Sequence, residues 1–300
     1  MLSICIATYN YPVTKLVTEL HKQCCAAAID FEILVADDCS ELLYDEENKK
    51  LAQFQQIIYW RMGGNVGRAA IRNELARRAK FSYLLFLDCD AEIENPRFIE
   101  HYIAAAHKQC VICGGVDYQK EKPVPTKRLR WKYGVQREML SAEQRSASGK
   151  GLTTFNMLID REILMRIGFN ESIRTYGYED TLFEYTLKKQ GYIITHIDNA
   201  AFHVGLDDNI VFLKKIEESL FTLQQLACNN TIDSDFLQFI KIYRVYCWCN
   251  TYKLTLFVRL LFRVKHVFLR YIIQKNAPLW VLDLYKLGYF CELQYPRFRN

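Results

Sequence analysis

Two aspartates one residue apart close an apolar run: Tyr83-Leu84-Leu85-Phe86-Leu87 stops at Asp88-Cys89-Asp90. In an extended strand, residues i and i+2 point to the same face, so both carboxylates are expected to share one space. Two ionised acids that close repel each other and lose hydration when buried, and a divalent cation is the compensating group such a pair suits. Mg2+ and Mn2+ take one or two protein carboxylates and complete their shells with water and phosphate oxygens. A solvated acidic turn would carry the same residues, so the placement of the pair matters more than the pair itself.

That placement recurs along the chain. LSICIA (2–7) runs into Thr8-Tyr9-Asn10 and a turn at Pro12, and FEILVA (31–36) runs into Asp37-Asp38. QIIYW (56–60) reads as a third strand and residues 65–80 as a helix with Ala69, Ala70, Leu75, Ala76 and Ala79 at apolar positions. YLLFL is a fourth strand, 96–107 a helix and CVICGGV (110–116) a fifth strand. Alternation of helices with two-sided apolar strands predicts an α/β fold, its central sheet mostly parallel and flanked by helices. Ligands in such sheets lie beyond the carboxyl ends of the strands, and three strands here deliver polar residues to that edge. Residues 117–150, polar, basic and broken by Pro123 and Pro125, predict an irregular excursion. TFNMLI (154–159), a short helix, the loop Tyr176-Gly177-Tyr178 leading into Glu179-Asp180, and YIITHI (192–197) resume the pattern, and beyond His203 only helices are expected. The predicted division is an α/β domain over 1–207 and a C-terminal helical region over 208–300.

A net charge of +5 over 300 residues does not imply nucleic acid, and the basic residues crowd 120–137 and 253–275. Eleven cysteines, an odd number, and an N-terminus without a basic, then long apolar, leader favour a reducing cytoplasm. Cys110-x-x-Cys113 and Cys247-x-Cys249 lack a second pair at zinc-site spacing and read as structural. No G-x-G-x-x-G follows the first strand and no Walker lysine motif is present, which removes the simplest dehydrogenase and nucleoside-triphosphatase readings.

Taken in order, ATYN (7–10), VADDCS (35–40), the N-x-G-x-x-x-x-R-N stretch (65–73), FLDCD and YGYED (176–180) resemble family 2 glycosyltransferases of the GT-A fold, over roughly residues 1–205. The resemblance implies transfer of a hexosyl or related sugar from a nucleotide-diphosphate donor, with a UDP-sugar expected, to an acceptor hydroxyl, with inversion and Mn2+ or Mg2+ as cofactor. It implies that Thr8, Tyr9, Asn10, Asp38, Gly67, Arg72 and Asp88 bind the donor, with Arg68 as a neighbour. Asp90, Asp88 and His203 would hold the metal, Asp180 would be the base, and Glu179 would orient it or bind acceptor. Cys39 stands where the family commonly has glycine. Acids at a helix N-terminus are also favoured by the dipole alone. Trp131 and Tyr178 are acceptor-binding candidates, Trp131 serving equally well as an anchor for the excursion. The implied acceptor is a saccharide or lipid-linked saccharide, in surface polysaccharide or glycolipid synthesis. The alternative is a nucleotide-sugar-binding scaffold without turnover.

The stretch TYKLTLFVRLLFRVKHVFLRYII (251–273) is apolar, yet Arg259, Arg263, Lys265, His266 and Arg270 interrupt it. A spanning helix needs about 20 nearly uncharged residues. The pattern fits either an interfacial helix on anionic lipid, at the inner face of the plasma membrane, or packing against the catalytic domain or a second subunit of a homo-oligomer.

Overall fold

The computed structural model describes residues 1–149, 151–229, 232–274 and 277–295. Lys150, at the end of the expected excursion, and 230–231, 275–276 and 296–300 of the expected helical region lie outside the described residues. The first half runs β1 (Leu2–Thr8), α1 (Thr14–Ala26), β2 (Phe31–Asp37), α2 (Leu42–Lys49), β3 (Ile57–Arg61), α3 (Arg68–Arg78), β4 (Tyr83–Asp88), β5 (Ala91–Glu92), α4 (Phe98–Ala105), β6 (Val111–Cys113) and β7 (Val116–Asp117). Then come α5 (Arg128–Arg137), α6 (Ala142–Ser148), β8 (Asn156–Asp160), α7 (Arg161–Ile167), α8 (Glu179–Lys189), β9 (Ile194–His196) and β10 (Ala201–His203). Helices α9 (Asn209–Cys228), α10 (Ser234–Phe239), α11 (Lys241–Thr251), α12 (Thr255–Phe262), α13 (Lys265–Gln274) and α14 (Leu279–Leu293) complete the chain.

Among the described residues the central sheet has the order β3-β2-β1-β4-β8-β6-β9. The first four strands run parallel, as does β6 with β9, while β8 is antiparallel to both its neighbours. Register sets the working edge: Thr8 stands beside Asp37, and Ala7 beside Asp88. Residues of one parity, Cys5, Leu34, Ala36, Leu84, Phe86, Met157 and Ile159, form one apolar cluster with α3, α7 and α8. Ile4, Ile6, Ile33, Val35, Leu85 and Leu87, of the other parity, are buried too. Helices α1 and α4 pack on each other, and α1 on β2, so the strands are apolar on both faces because both are covered.

Three expectations need correction. CVICGGV is two strands in two sheets: β6 belongs to the central sheet, and β7 to a small sheet ordered β5-β10-β7. The break falls at Gly114-Gly115. Gly115 has φ +90°, and a Cβ on Gly114 would lie 2.3 Å from the Tyr102 hydroxyl and 2.5 Å from Asn156 Nδ2. Residues 117–149 hold helices rather than irregular chain. Ser141 caps α6, its Oγ accepting from Gln144 N at 3.2 Å while the Gln144 side chain accepts from Ser141 N, and Gly149 ends the helix at φ +60°. The prolines precede α5 instead of interrupting it. The 251–273 stretch is not one helix: α11 ends at Thr251, Lys253 has φ +58°, and α12 and α13 are separate. No helix among the described residues is long and apolar enough to cross a membrane.

The chain divides into two compact units. One comprises Met1–Lys120, Gly134–Arg174 and Glu179–Gly205, and contains both sheets. The other comprises Glu121–Tyr133, Thr175–Tyr178 and Leu206–Asn300. In this second unit α14 packs on α9, α11 and α12. Leu129 N donates to Asn209 Oδ1 at 2.9 Å and Lys132 Nζ to the Ala277 carbonyl at 2.9 Å, which ties 121–133 to the helices.

Candidate active site

The polar strand ends of the first unit are fastened to one another before any ligand is considered. Thr8, buried, donates its hydroxyl to the Tyr11 carbonyl at 2.9 Å, and its own carbonyl accepts from Asp38 N at 2.8 Å. Asn10 adopts φ +51°, its N–H donating to Ser40 Oγ and its Oδ1 accepting from Glu41 N, both at 2.8 Å. Tyr9 leaves its ring exposed. Asp38 accepts from Val66 N at 2.7 Å and Gly67 N at 3.1 Å, one at each carboxylate oxygen. Burial, and the Asp37 charge behind it, push the Asp38 pKa up, while the two N–H groups work against the rise. Each oxygen keeps a second lone pair for a donor on a ligand. Gly67 itself stands at φ +83°, the left-handed region that favours glycine, at the start of α3.

Arg72 organises the next part. It is 4% exposed, and its guanidinium donates to Asp88 Oδ1 at 3.0 Å and Asp180 Oδ1 at 3.3 Å, with Glu179 Oε1 at 3.8 Å. The end of β4 and the start of α8 thus meet on one cation. Burial alone would raise the Asp88 pKa; the Arg72 and Arg68 charges and the Arg72 hydrogen bond overcome it, and the carboxyl lies below its ordinary range. At Glu179 the balance reverses: burial and the Asp180 charge raise it against the pull of Arg72 and Arg68. Arg68 lies 3.8 Å from Glu179 Oε1. Asp180 is held from a second side by Thr154, whose N–H donates to Oδ2 at 3.2 Å and whose hydroxyl lies 2.9 Å from both oxygens.

Asp90 and Asp88 have different partners. Strand β4 ends at Asp88, so the period-two rule does not reach Asp90, which follows in a turn. Asp90 Oδ2 lies 3.3 Å from His203 Nε2, brought there by the β5–β10 pairing of His203 with Ala91. The imidazole stands near the Tyr118 and Phe155 rings, at centroid distances of 5.6 and 5.4 Å. Burial raises the Asp90 pKa, with the His203 charge opposing. No group of three His, Cys, Asp or Glu residues gathers for a metal among the described residues. A carboxylate and an imidazole this close do fit the protein's share of a divalent cation's shell, water and diphosphate oxygens supplying the rest. Trp131 and Tyr178 belong to the second unit; Tyr178 has φ +69°, and burial and Tyr133 raise its hydroxyl's pKa.

Sequence reasoning missed Thr154 and Gly205. Thr154 precedes β8, whose antiparallel direction brings its amino end to the edge where the parallel strands finish, so the carboxyl-end rule passes over it. Gly205 follows His203 by two residues, and a Cβ there would lie 2.5 Å from Asp90 Cβ and Oδ2, a close approach that only the fold reveals.

A mostly parallel central sheet flanked by helices is the GT-A arrangement, and the solved structures that this chain is similar to share that fold. The structure of S. aureus TarS 1–349 in complex with UDP superimposes with a TM-score of 0.51 at 20% identity, covering 100% of this chain and 94% of that one. TarS 1–349 with UDP-GlcNAc gives 0.53 at 18% identity, covering 97% and 88%. The mannosyltransferase PcManGT of Pyrobaculum calidifontis, in complex with GDP-Man and Mn2+, gives 0.52 at 15% identity, covering 78% of this chain and 66% of that one. The glycosyl transferase family 2 model matches residues 3–168, and the chain belongs to that family. A stretch of 104 residues is 35% identical to chondroitin synthase of Escherichia coli, covering 34% of this chain and 15% of that protein's length.

Proposed function

We propose that the chain transfers a hexosyl or related sugar from a UDP-sugar to an acceptor hydroxyl with inversion, in surface polysaccharide or glycolipid synthesis. The observation that carries this is the meeting of Asp88 and Asp180 on the Arg72 guanidinium, at 3.0 and 3.3 Å, which sets a donor-side acid beside a candidate base. UDP is favoured as the nucleotide because TarS is seen with UDP and UDP-GlcNAc. Residues 1–207 carry donor binding and catalysis in this reading, 208–300 being appended helices, and the enzyme works in the cytoplasm.

Thr8, Tyr9, Asn10 and Asp38 take the nucleoside, and Gly67 lets the backbone approach it. Arg72 favours the ionised form of Asp88 and aims both Asp88 and Asp180. Asp180 accepts the proton of the acceptor hydroxyl as its oxygen bonds the anomeric carbon. The bond from that carbon to the diphosphate oxygen breaks on the opposite face, its electron pair leaving with UDP. Glu179 orients the acceptor or the base. Asp90 and His203, with Asp88 beside them, would hold Mn2+ or Mg2+, which would supply charge compensation for the departing diphosphate.

Calorimetry with UDP, with and without MnCl2, tests the donor side, and the anomeric configuration of the product by NMR tests the rest. Asp90→Ala should lose the Mn2+-dependent part of UDP binding, and Asp180→Asn should keep UDP binding and lose transfer. Tighter binding of GDP than UDP, Mn2+-dependent UDP binding that survives Asp90→Ala, or a product of retained configuration would overturn the assignment.

A further inference from the structure

Helix α12 has one packed face and one bare face. Phe262 is buried, its ring 5.4 Å from that of Tyr285 and 6.3 Å from that of Tyr289, and a Cβ on Gly288 would lie 2.5 Å from it. Arg259 is engaged as well, its Nε 3.4 Å from Glu292 and its guanidinium 3.6 Å from the Tyr295 ring centroid. Leu256, Phe257, Leu260 and Leu261 fall on the opposite side by helical spacing, and they are 70, 60, 57 and 49% exposed. Val267 and Tyr271 of α13 are exposed too. Side chains of this size left in water in such density mark a docking surface.

Charge identifies the occupant. Between Asp235 and Asp283 the sequence has no acid and eight Lys or Arg residues, and Lys253, Arg263 and Lys265, which flank the apolar face, are exposed. A second copy docking through this face would set cations against cations. A nucleic acid would meet the cations and leave an aliphatic centre unfilled. A surface that offers anionic headgroups above an apolar layer satisfies both features. Helix α12 is 8 residues long, too short to cross a bilayer, and suits lying in its plane.

We infer that α12 and α13 seat the protein on an anionic membrane surface, with Leu256, Phe257, Leu260 and Leu261 in the acyl boundary and Lys253, Arg263 and Lys265 at the phosphate level. The inference rests on the second unit's surface and is independent of the transfer reaction. The test is flotation of the full chain with vesicles of phosphatidylcholine alone or of phosphatidylcholine with phosphatidylglycerol. Wild type should float with the anionic vesicles, much less with the neutral ones, and should be released by salt. Arg263→Ser with Lys265→Ser should lower the partition coefficient about 25-fold, roughly fivefold per residue, and Phe257→Ser with Leu260→Ser should lower it as well. These positions are exposed, so unchanged melting temperatures are expected of both variants. Independently, Leu260→Trp should add fluorescence that brominated lipid quenches. Equal flotation of wild type and both variants, an unquenched Trp at position 260, or a concentration-dependent dimer abolished by Phe257→Ser with Leu260→Ser would overturn the inference, the last by assigning the face to a second copy.

Discussion

Arg72→Met removes a buried cation from three carboxylates while keeping an apolar stem of similar reach. Its Asp88, Asp180 and Glu179 partners lie at 3.0, 3.3 and 3.8 Å, and the Arg72 side chain is 5% exposed. Removing one partner of a buried ion pair costs about 3–5 kcal/mol. The Asp88 and Asp180 side chains are 28 and 29% exposed, so water screens part of what they lose and the lower end, about 3 kcal/mol, applies. At about 2–4 °C per kcal/mol for a chain of this order of size, the melting temperature should fall by about 6–12 °C.

Differential scanning calorimetry across pH distinguishes this mechanism from lost packing against the Phe169 ring, which lies 5.7 Å from the guanidinium. In the wild type, Asp88 lies below its ordinary range, so its contribution is present above the unfolded carboxylate pKa and fades as pH falls through the folded value. In the variant, burial of Asp88 and Glu179 is opposed by Arg68 but no longer by Arg72, so these two folded carboxyls bind protons more readily than in the wild type. The stability deficit should therefore be largest at neutral pH and shrink towards about pH 5. Arg72→Lys should recover only part of it, because one ammonium cannot fork between two acids. A fall of less than about 2 °C, or a deficit that ignores pH, would refute the reasoning.

Thr154→Val removes the hydroxyl that lies 2.9 Å from both Asp180 oxygens; turnover should fall about tenfold, a charged hydrogen bond's worth, with UDP affinity unchanged and Thr154→Ser restoring the rate in steady-state kinetics. Gly205→Ala forces Asp90 to shift, since its Cβ would lie 2.5 Å from that side chain, so calorimetry should show weaker Mn2+-dependent UDP binding and unchanged metal-free binding. Burial, aided by the Arg145 and Lys188 charges, lowers the His196 pKa from 6.5 to about 4, so the unfolded chain takes up this proton first and stability should decline as pH falls from 6.5 towards 4. Denaturant midpoints measured over that window should follow this slope, and His196→Gln should flatten it.

How much of this is legible in the sequence depends on the range of the forces involved. Strands β1, β2 and β4 are legible because apolar burial on both faces needs only a short run of residues, and the polar residues that end each run come together at one edge of the sheet. The split of CVICGGV is not, because the run is equally apolar in either sheet; the break is set by Tyr102, Asn156 and Asn199 packed against Gly114, contacts far away in the chain. Helix α6 was readable in part: Ser141-x-x-Gln144 is a capping signature, and Pro123 and Pro125 exclude helix only where they stand.

The acidic pair shows the limit most sharply. Period-two alternation puts Asp88 and Asp90 together only if the strand continues through both, and it ends at Asp88. From there tertiary partners decide: Arg72 takes Asp88 at 3.0 Å and His203 meets Asp90 at 3.3 Å. Neither partner is identifiable by local spacing, since Arg72 lies on a preceding helix and His203 on a strand of the other sheet. The division is nevertheless chemically coherent, because an acid that arginine keeps ionised and an acid that histidine accompanies can bind different parts of one diphosphate donor without competing for the same cation.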